Sequence, residues 1–382
     1  MKTAGIIAEY NPFHSGHKYQ LDEIKKSCHA IVAVMSGSFV QRGDVAITDK
    51  WTRAKAAVIN GCDLVLELPV CYSLSSAADF AHGGVSLLDK LGIIDRLYFS
   101  AECGNTEQLI NAARILSNEP AEISARVKEF VSEGMSYPAA YTKAWDDVID
   151  ADILTKPNNI LALEYIKTII NLNSRIEPLA IKRIGAEHDG VPSGNIASAS
   201  HIRGLISQGE DYSAYVPEAA YKIYQSAEMT YDISRLDGFI TGTLRTVPLI
   251  RIAAHSPEGL ENRIRAAAAE HYGFDAICGA VKSKRYTLSR IRRIVLSAAL
   301  DLPKSIAPSY ARVLAMNETG KSLLKEIKKK SDIEIITKTA AYNKGDEMFD
   351  ADIRATDIFS LCASDEKKRV GGLDYTTSPV IT

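Results

Sequence analysis

The chain has no uninterrupted apolar stretch approaching the roughly 18 residues that a membrane-spanning helix requires. Its opening, MKTAGIIAEYNPF, meets polar residues too early for a secretory leader. These two absences lead to the expectation of a cytoplasmic protein that does not engage a membrane. Cysteine is sparse: Cys28, Cys62, Cys71, Cys103, Cys278 and Cys362 lie far apart and form no CxxC pair. That argues against a cysteine-rich zinc site and against a disulfide framework, and leaves reduced, mostly buried thiols. An excess of one charge is missing too, with 45 Lys and Arg against 47 Asp and Glu and a formal net charge of −2. Any nucleic-acid partner would have to be held by a local basic patch, because the average field does not attract it. Internal repeats and low-complexity segments are also lacking.

What is present is a chain of 382 residues, 46% hydrophobic, long enough for two or more cores. Short apolar runs, AGIIAEY, AIVAVMSG, DLVLELPV and DRLYFSAE, alternate with the amphipathic stretches HKYQLDEIKKSC, DKWTRAKAAVING and AADFAHGGVSLLDKLG. Runs without polar alternation suit strands buried on both faces, and a helix between each pair implies right-handed crossovers in a parallel sheet. The expected fold is a doubly wound α/β domain. Ligands of such sheets bind beyond the carboxyl ends of the strands, which brings YNPFHSGH, SGSFVQRGD and SAECGN to one crevice. From about 106 to 173 the pattern is helical, as in QLINAARILS, EISARVKEFVSEG and NNILALEYIKTIINLN, and a strand-like IEPLAIKRIG follows. PSGNIASASHIRGLISQG then runs from a Gly/Ser-rich loop into a helix that its serines can cap. The reading is therefore a first domain at 1–210 with a helical insertion at about 106–173. Helical periodicity dominates from 211 to 382, in GLENRIRAAAAEHYG, RIRRIVLSAAL and GKSLLKEIKKK, with short strands at YARVLAM and DIEIIT. A second, mainly α-helical C-terminal domain is expected there.

NPFHSGHK, residues 11–18, places two histidines three apart around a glycine. A glycine-containing loop that ends a buried strand and opens a helix is an anion site, since backbone N–H groups and the helix dipole point at a phosphate and Gly16 allows close approach. His14 and His17 would flank that phosphate and donate hydrogen bonds to charge developing during transfer at phosphorus. The same histidines could instead cap or pack the helix. No third ligand is evident nearby, so no metal site is assigned.

GIIAEYNPFHSGHKYQL resembles the first motif of the HxGH nucleotidylyltransferase superfamily, and IASASHIR resembles its second, commonly ISSTxIR, in the expected order. More narrowly, MSGSFVQRGDVAITDKWTRAKAAVINGCDLVLELP, KPNNILALEY and KRIGAEHDG are similar to the tRNA(Met) cytidine acetate ligase family over nearly the whole chain. The resemblance implies a Rossmann-like parallel-sheet domain that binds ATP. It implies activation of acetate as acetyl-adenylate with release of pyrophosphate. Acetyl transfer to N4 of the wobble cytidine of elongator tRNA(Met), forming N4-acetylcytidine, would follow. A magnesium ion accompanying ATP is left open. Two departures stand out: Ser200 replaces the threonine usual in the second motif, and Ser100-Ala101-Glu102 stands where the family often has Gly-Ser-Glu.

Carried over by motif, Ile7, Ala8, Glu9, Tyr10, Asn11, Pro12, Phe13, His14, Ser15, Gly16, His17, Lys18, Tyr19 and Gln20 form the ATP-binding strand, loop and helix. His14, His17 and Lys18 are its catalytic candidates. Ser100, Asn158 or Asn159, and Arg183 complete the nucleotide site, while Ser198, Ser200 and Arg203 meet phosphate at a second helix start. SFVQRGD is the loop expected to close over the substrate, with Gln41 and Arg42 suited to a carboxylate or a leaving phosphate. The plainer readings are a solvated Lys18, asparagines in a turn, serines that only cap, and a salt-bridged Arg42. KSKRYTLSRIRR carries Lys282, Lys284, Arg285, Arg290, Arg292 and Arg293 without an acid, plus Tyr286, which could stack on a base. Alone it reads as a solvated face, and the resemblance turns it into the candidate tRNA surface. Two other functions compete: a nucleotidylyltransferase acting on a small phosphorylated metabolite, and a non-catalytic RNA-binding module.

Overall fold

The computed structural model describes every residue except 1, 136, 185–191, 193, 257, 258, 305, 306 and 343. Most of the KRIGAEHDG motif therefore lies outside the described residues. The strands are β1 (Thr3–Ala8), β2 (Ala30–Ser36), β3 (Phe39–Val40), β4 (Asp44–Val45), β5 (Leu64–Leu68), β6 (Arg96–Ala101), β7 (Glu177–Lys182), β8 (Tyr310–Met316), β9 (Glu334–Ile336) and β10 (Val380–Ile381). One sheet runs β10-β8-β5-β2-β1-β6-β7 with β9 beside β8, and β3 and β4 form a separate hairpin. The five strands β5-β2-β1-β6-β7 are mutually parallel. The chain builds outward from β1 toward β5, then returns to place β6 on the other side of β1. That reversal opens a crevice beyond the carboxyl ends of β1 and β6, where ligands of open α/β sheets bind.

The apolar runs form central strands because both faces of the sheet are covered. All seven residues of β2 are buried. Helices Ala77–Lys90 and Pro157–Asn171 cover one face through Phe80, Leu87, Leu163 and Ile166. Ser15–Lys25, Lys50–Ile59, Ala199–Gln208 and Glu218–Gln225 cover the other, through Leu21, Ala54, Ile202 and Tyr224. Between β6 and β7 the chain is helical, from helix Thr106–Ser117 to helix Pro157–Asn171. Among the described residues no helix is long and apolar enough to cross a membrane.

The boundary expected near residue 210 does not follow the sheet. YARVLAM becomes β8, buried along its whole length and paired antiparallel to β5, with Leu64 opposite Met316. β9 and β10 then pair parallel to β8. A strand's partner is not encoded in its own period, so a run this distant in sequence from β5 reads locally as part of the helical region. The helical core proper joins Asp237–Thr246, Leu260–Glu270, Phe274–Val281 and Leu288–Ala299 with Glu347–Ser360. Its apolar cluster also takes in Phe39, Val40, Val45 and Ala46 of the β3–β4 hairpin.

A buried ionic cluster ties the C-terminal segment to the sheet. Lys50 Nζ lies 2.7 Å from Glu67 Oε1 and 2.9 Å from Asp374 Oδ1. Arg312 reaches Glu67 Oε2 at 3.4 Å and Asp374 Oδ1 at 2.5 Å. Two cations against two carboxylates nearly cancel, and removing one member would leave an uncompensated buried charge costing about 3–5 kcal/mol.

Candidate active site

β1 delivers its chain to a loop held both by distant partners and by bonds within its own turn. Tyr10 adopts φ 47°, turning the chain out of the strand. Asn11 Oδ1 accepts from the Ile47 N–H at 2.8 Å, and the Phe13 N–H donates to Tyr224 Oη at 2.9 Å. His14 then caps helix Ser15–Lys25. Its Nδ1 accepts from the Gly16 N–H at 3.1 Å, while His17 Nδ1 accepts from the His14 N–H at 3.2 Å. This is a capping box made of two histidines, which satisfies two N–H groups that a helix start leaves unpaired. The rings stack with centroids 3.7 Å apart. Because each Nδ1 accepts, each neutral ring carries its proton on Nε2, and that N–H is the group left for a ligand. Burial, then the Arg183 and Arg203 charges, push His14 down to about 3. Burial, then His14 and Arg183, hold His17 well below its ordinary value.

Gly16 also makes the histidine cap possible. A Cβ there would meet His14 Cε1 at 3.0 Å and Nδ1 at 3.1 Å, so the missing side chain makes room for the capping ring. The Gly16 N–H is also spent on that ring.

The loop forms one wall of a cleft of about 360 Å³, a size typical of small-molecule sites. Of the stretch 7–20, that wall takes Ile7, Ala8, Glu9, Tyr10, Asn11, His14, Gly16, His17, Tyr19 and Gln20. Pro12 and Phe13 are buried beneath the loop, and Ser15 opens the helix. Opposite stands the start of helix Ala199–Gln208. Ser198 caps it, accepting from the His201 N–H at 3.2 Å. Ser200 Oγ accepts from Arg203 at 3.1 Å and from Arg42 at 3.5 Å, and Arg203 also donates to the Asn11 carbonyl at 2.8 Å. Arg183 follows β7, its N–H donating to the Ala101 carbonyl at 3.0 Å, and lines the same cleft. Arg42, Arg183, Arg203 and Lys182 line the cleft against two carboxylates, Glu9 and Asp44, which leaves the pocket around the imidazoles electropositive.

Ser100 and Asn158 complete the wall. Between the two candidate asparagines the structure distinguishes clearly. Asn159 is fully buried, accepting from the Cys103 N–H at 3.2 Å and donating to the Asp152 carbonyl at 3.0 Å. Asn158 faces the cleft. Glu102 holds both: it accepts from the Asn158 N–H at 3.2 Å, Asn158 Nδ2 at 2.6 Å and the Asn159 N–H at 2.8 Å. A carboxylate at a helix start is favourably placed against the dipole. Sequence reasoning missed this role, although Glu102 sits in a loop that pointed at the crevice. It also missed the apolar side formed by Phe80, Phe99, Leu161 and Tyr165, and Arg53. Arg53 is fully buried on helix Lys50–Ile59 and donates to the carbonyls of Glu9 at 2.7 Å, Ser36 at 2.9 Å, Thr48 at 3.2 Å and Gly37, gathering the loops beneath the cleft. Gln41 and Arg42 sit at the hairpin tip over the opening, where the Gln41 N–H donates to Glu9 Oε1 at 2.7 Å.

The family described as HIGH Nucleotidyl Transferase matches residues 1–372. A tRNA(Met) cytidine acetate ligase of Thermoanaerobacter sp. (strain X514) is 41% identical over 98% of each chain. One of Clostridium perfringens is 36% identical over the full length of both. The chain belongs to the tRNA(Met) cytidine acetate ligase family. The crystal structure of Thermotoga maritima TmcAL bound with α-thio ATP superposes with a TM-score of 0.89 at 30% identity, covering 100% of this chain and 99% of that one. Its apo form gives 0.91.

Two assignments made for this family member from its sequence change with the geometry. Lys18 does not line the cleft: it turns outward and pairs with Asp22 one helical turn on. The basic stretch divides. Lys282, Lys284 and Arg285 are exposed, and Arg290 is half-buried. Tyr286 is buried, only 8% exposed, with the Arg285 and Arg290 guanidinia 5.4 Å and 5.5 Å from its ring, so it is not presented to a base. Arg292 and Arg293 turn inward onto the β3–β4 hairpin. Among the described residues no cluster of three or more His, Cys, Asp or Glu that could hold a metal ion occurs.

Proposed function

We propose that the protein is an ATP-dependent tRNA(Met) cytidine acetate ligase working in the cytoplasm. The observation that carries this reading is the pair of neutral histidines, each with Nδ1 occupied and Nε2–H left for a ligand, in a cleft that three arginines make positive. Such a site suits a nucleotide's phosphates without a covalent intermediate. Acetate is a poor acyl donor until its carboxylate becomes a mixed anhydride. Its oxygen attacks the α-phosphorus of ATP, the bond to the β-phosphate oxygen breaks, and pyrophosphate leaves. Fixed donors on His14, His17, Arg42, Arg183 and Arg203 stabilise the charge gathering on the phosphoryl oxygens, while the apolar side seats the adenosine. The cytidine N4 amine then attacks the acetyl carbon, AMP departs, and the amine proton passes to solvent. Catalysis here is positioning and charge neutralisation, so no nucleophilic side chain is required.

The catalytic unit is assigned to the sheet and its insertion, and tRNA to the surface basic residues Lys282, Lys284 and Arg285 with Arg290. The test is incubation with ATP, labelled acetate and tRNA(Met). The expected result is label on cytidine with stoichiometric AMP and pyrophosphate. ADP in place of AMP would place the attack at the γ-phosphate and overturn the adenylate route.

A further inference from the structure

The β3–β4 hairpin carries Gln41 and Arg42 over the cleft, yet nothing in its own four paired residues makes it rigid, since a two-stranded hairpin is marginal alone. It is clamped from both sides. Glu9 accepts from the Gln41 N–H at the cleft. From the helical core, Arg293 donates to the Gln41 carbonyl at 3.1 Å and Arg292 Nε donates to the Gly43 carbonyl at 2.9 Å. Arg292 further reaches Asp44 Oδ2 at 3.1 Å, pairs with Asp275, and lies over the Phe274 ring at 4.4 Å. The junction is also tight: Gly43 has φ +76°, and a Cβ there would meet Arg292 Cβ at 2.7 Å and the Arg293 N at 2.8 Å.

We propose that Arg292 and Arg293 are positioning residues for acid activation, fixing the hairpin tip so that Gln41 and Arg42 meet the reacting groups. The inference rests on the reading of the cleft as the site of adenylation. It removes these two arginines from the tRNA surface, because Arg292 is engaged by the hairpin and Asp275 and Arg293 turns inward to the Gln41 carbonyl.

The experiment compares Arg293→Ala, Arg293→Lys and the charge-neutral Gly43→Ala by three readouts: acetate-dependent exchange of pyrophosphate into ATP without tRNA, tRNA affinity across a salt titration, and amide exchange of Gly43 and Ala46. Those two amides are held by the Val40 and Ser38 carbonyls. Arg293→Ala and Gly43→Ala should each lower the exchange reaction roughly 10–100-fold, the scale of a small misplacement in a site. Both should speed amide exchange in the hairpin while the thermal shift caused by ATP persists. Arg293→Lys, which can still donate one bond to the Gln41 carbonyl, should recover most of the rate. The salt slope should match the wild type in all three. Unchanged pyrophosphate exchange in Arg293→Ala, with a salt slope lower by about 0.9, would make Arg293 a phosphate ligand and overturn the proposal. Loss of ATP binding together with activity would also overturn it, showing a general structural role. Should the wild type itself show no acetate-dependent exchange, the functional reading fails, and unchanged amide exchange in Gly43→Ala would independently refute the clamp.

Discussion

The loop 11–18 and the segment 282–293 both suggested binding to phosphate, and folding treated them differently. For the histidine pair the bonds are local, His14 to Gly16 and His17 to His14, two and three residues apart, while Asn11 and Phe13 reach Ile47 and Tyr224 to seat the loop. In the basic segment the bonds are remote, Arg292 meeting Gly43 and Arg293 meeting Gln41, 249 and 252 residues away. A cap closed within one helical turn can be read from local spacing. A run of like charge states only that cationic groups need acceptors, and carbonyls of a hairpin serve as well as phosphates. Read from sequence as one candidate surface, the segment has in the structure an exposed part and an inward part.

The sharpest way to break this contrast is His14→Asn. Asparagine can still accept from the Gly16 N–H as a helix cap, so Tm should hold, but the Nε2–H donor is gone. Pyrophosphate exchange should fall about 10²–10³-fold. Near wild-type turnover would show that the loop's histidines only cap, and the two regions would then be alike.

The acid side of the stability profile tests the same imidazoles. Their folded values lie below the unfolded value of 6.5, so the unfolded chain takes up protons first as pH falls. Their contribution is intact above about 6.5 and declines progressively below it, toward about 3 for His14. The limit is about 1.4 kcal/mol per pH unit per histidine, reduced by water in the cleft. Urea unfolding from pH 7 to 5 should show a shallower decline in His14→Asn than in the wild type, and parallel curves would refute the depressed value.

On the other side of the comparison, replacing Lys282 and Lys284 by alanine should lower the salt slope of tRNA binding by about 0.7–0.9 for each phosphate that is no longer neutralised. Tm and pyrophosphate exchange should stay unchanged. An unaltered slope would mean that these two lysines do not touch RNA. The smallest effect is expected at Lys18, whose exposed pair with Asp22 is an i,i+4 surface bridge. Lys18→Ala should change stability by no more than about 0.5 kcal/mol and leave the pyrophosphate exchange rate within a few-fold. A drop comparable to that of His14→Asn would restore Lys18 to the phosphate site.

By itself the sequence determined the parallel core, because β1, β2, β5 and β6 are apolar runs separated by amphipathic helices, and period and length are local properties. It also located the cleft, since topology puts the loops after β1 and β6 at the reversal of strand order. The serine cap at the second helix was legible for the same reason, its partner lying within a turn; a cap at His14 was one of two open readings, and the reciprocal His14–His17 box came from the structure. Only tertiary structure decided that β8 joins the sheet beside β5, that Asn158 and not Asn159 faces the cleft, that Glu102 and Arg53 hold its loops, and that Arg292 and Arg293 brace the hairpin. Each of these depends on which distant surface satisfies a buried strand edge, amide, carboxylate or guanidinium. Burial makes such groups find partners, but the chain must fold before the partners are neighbours.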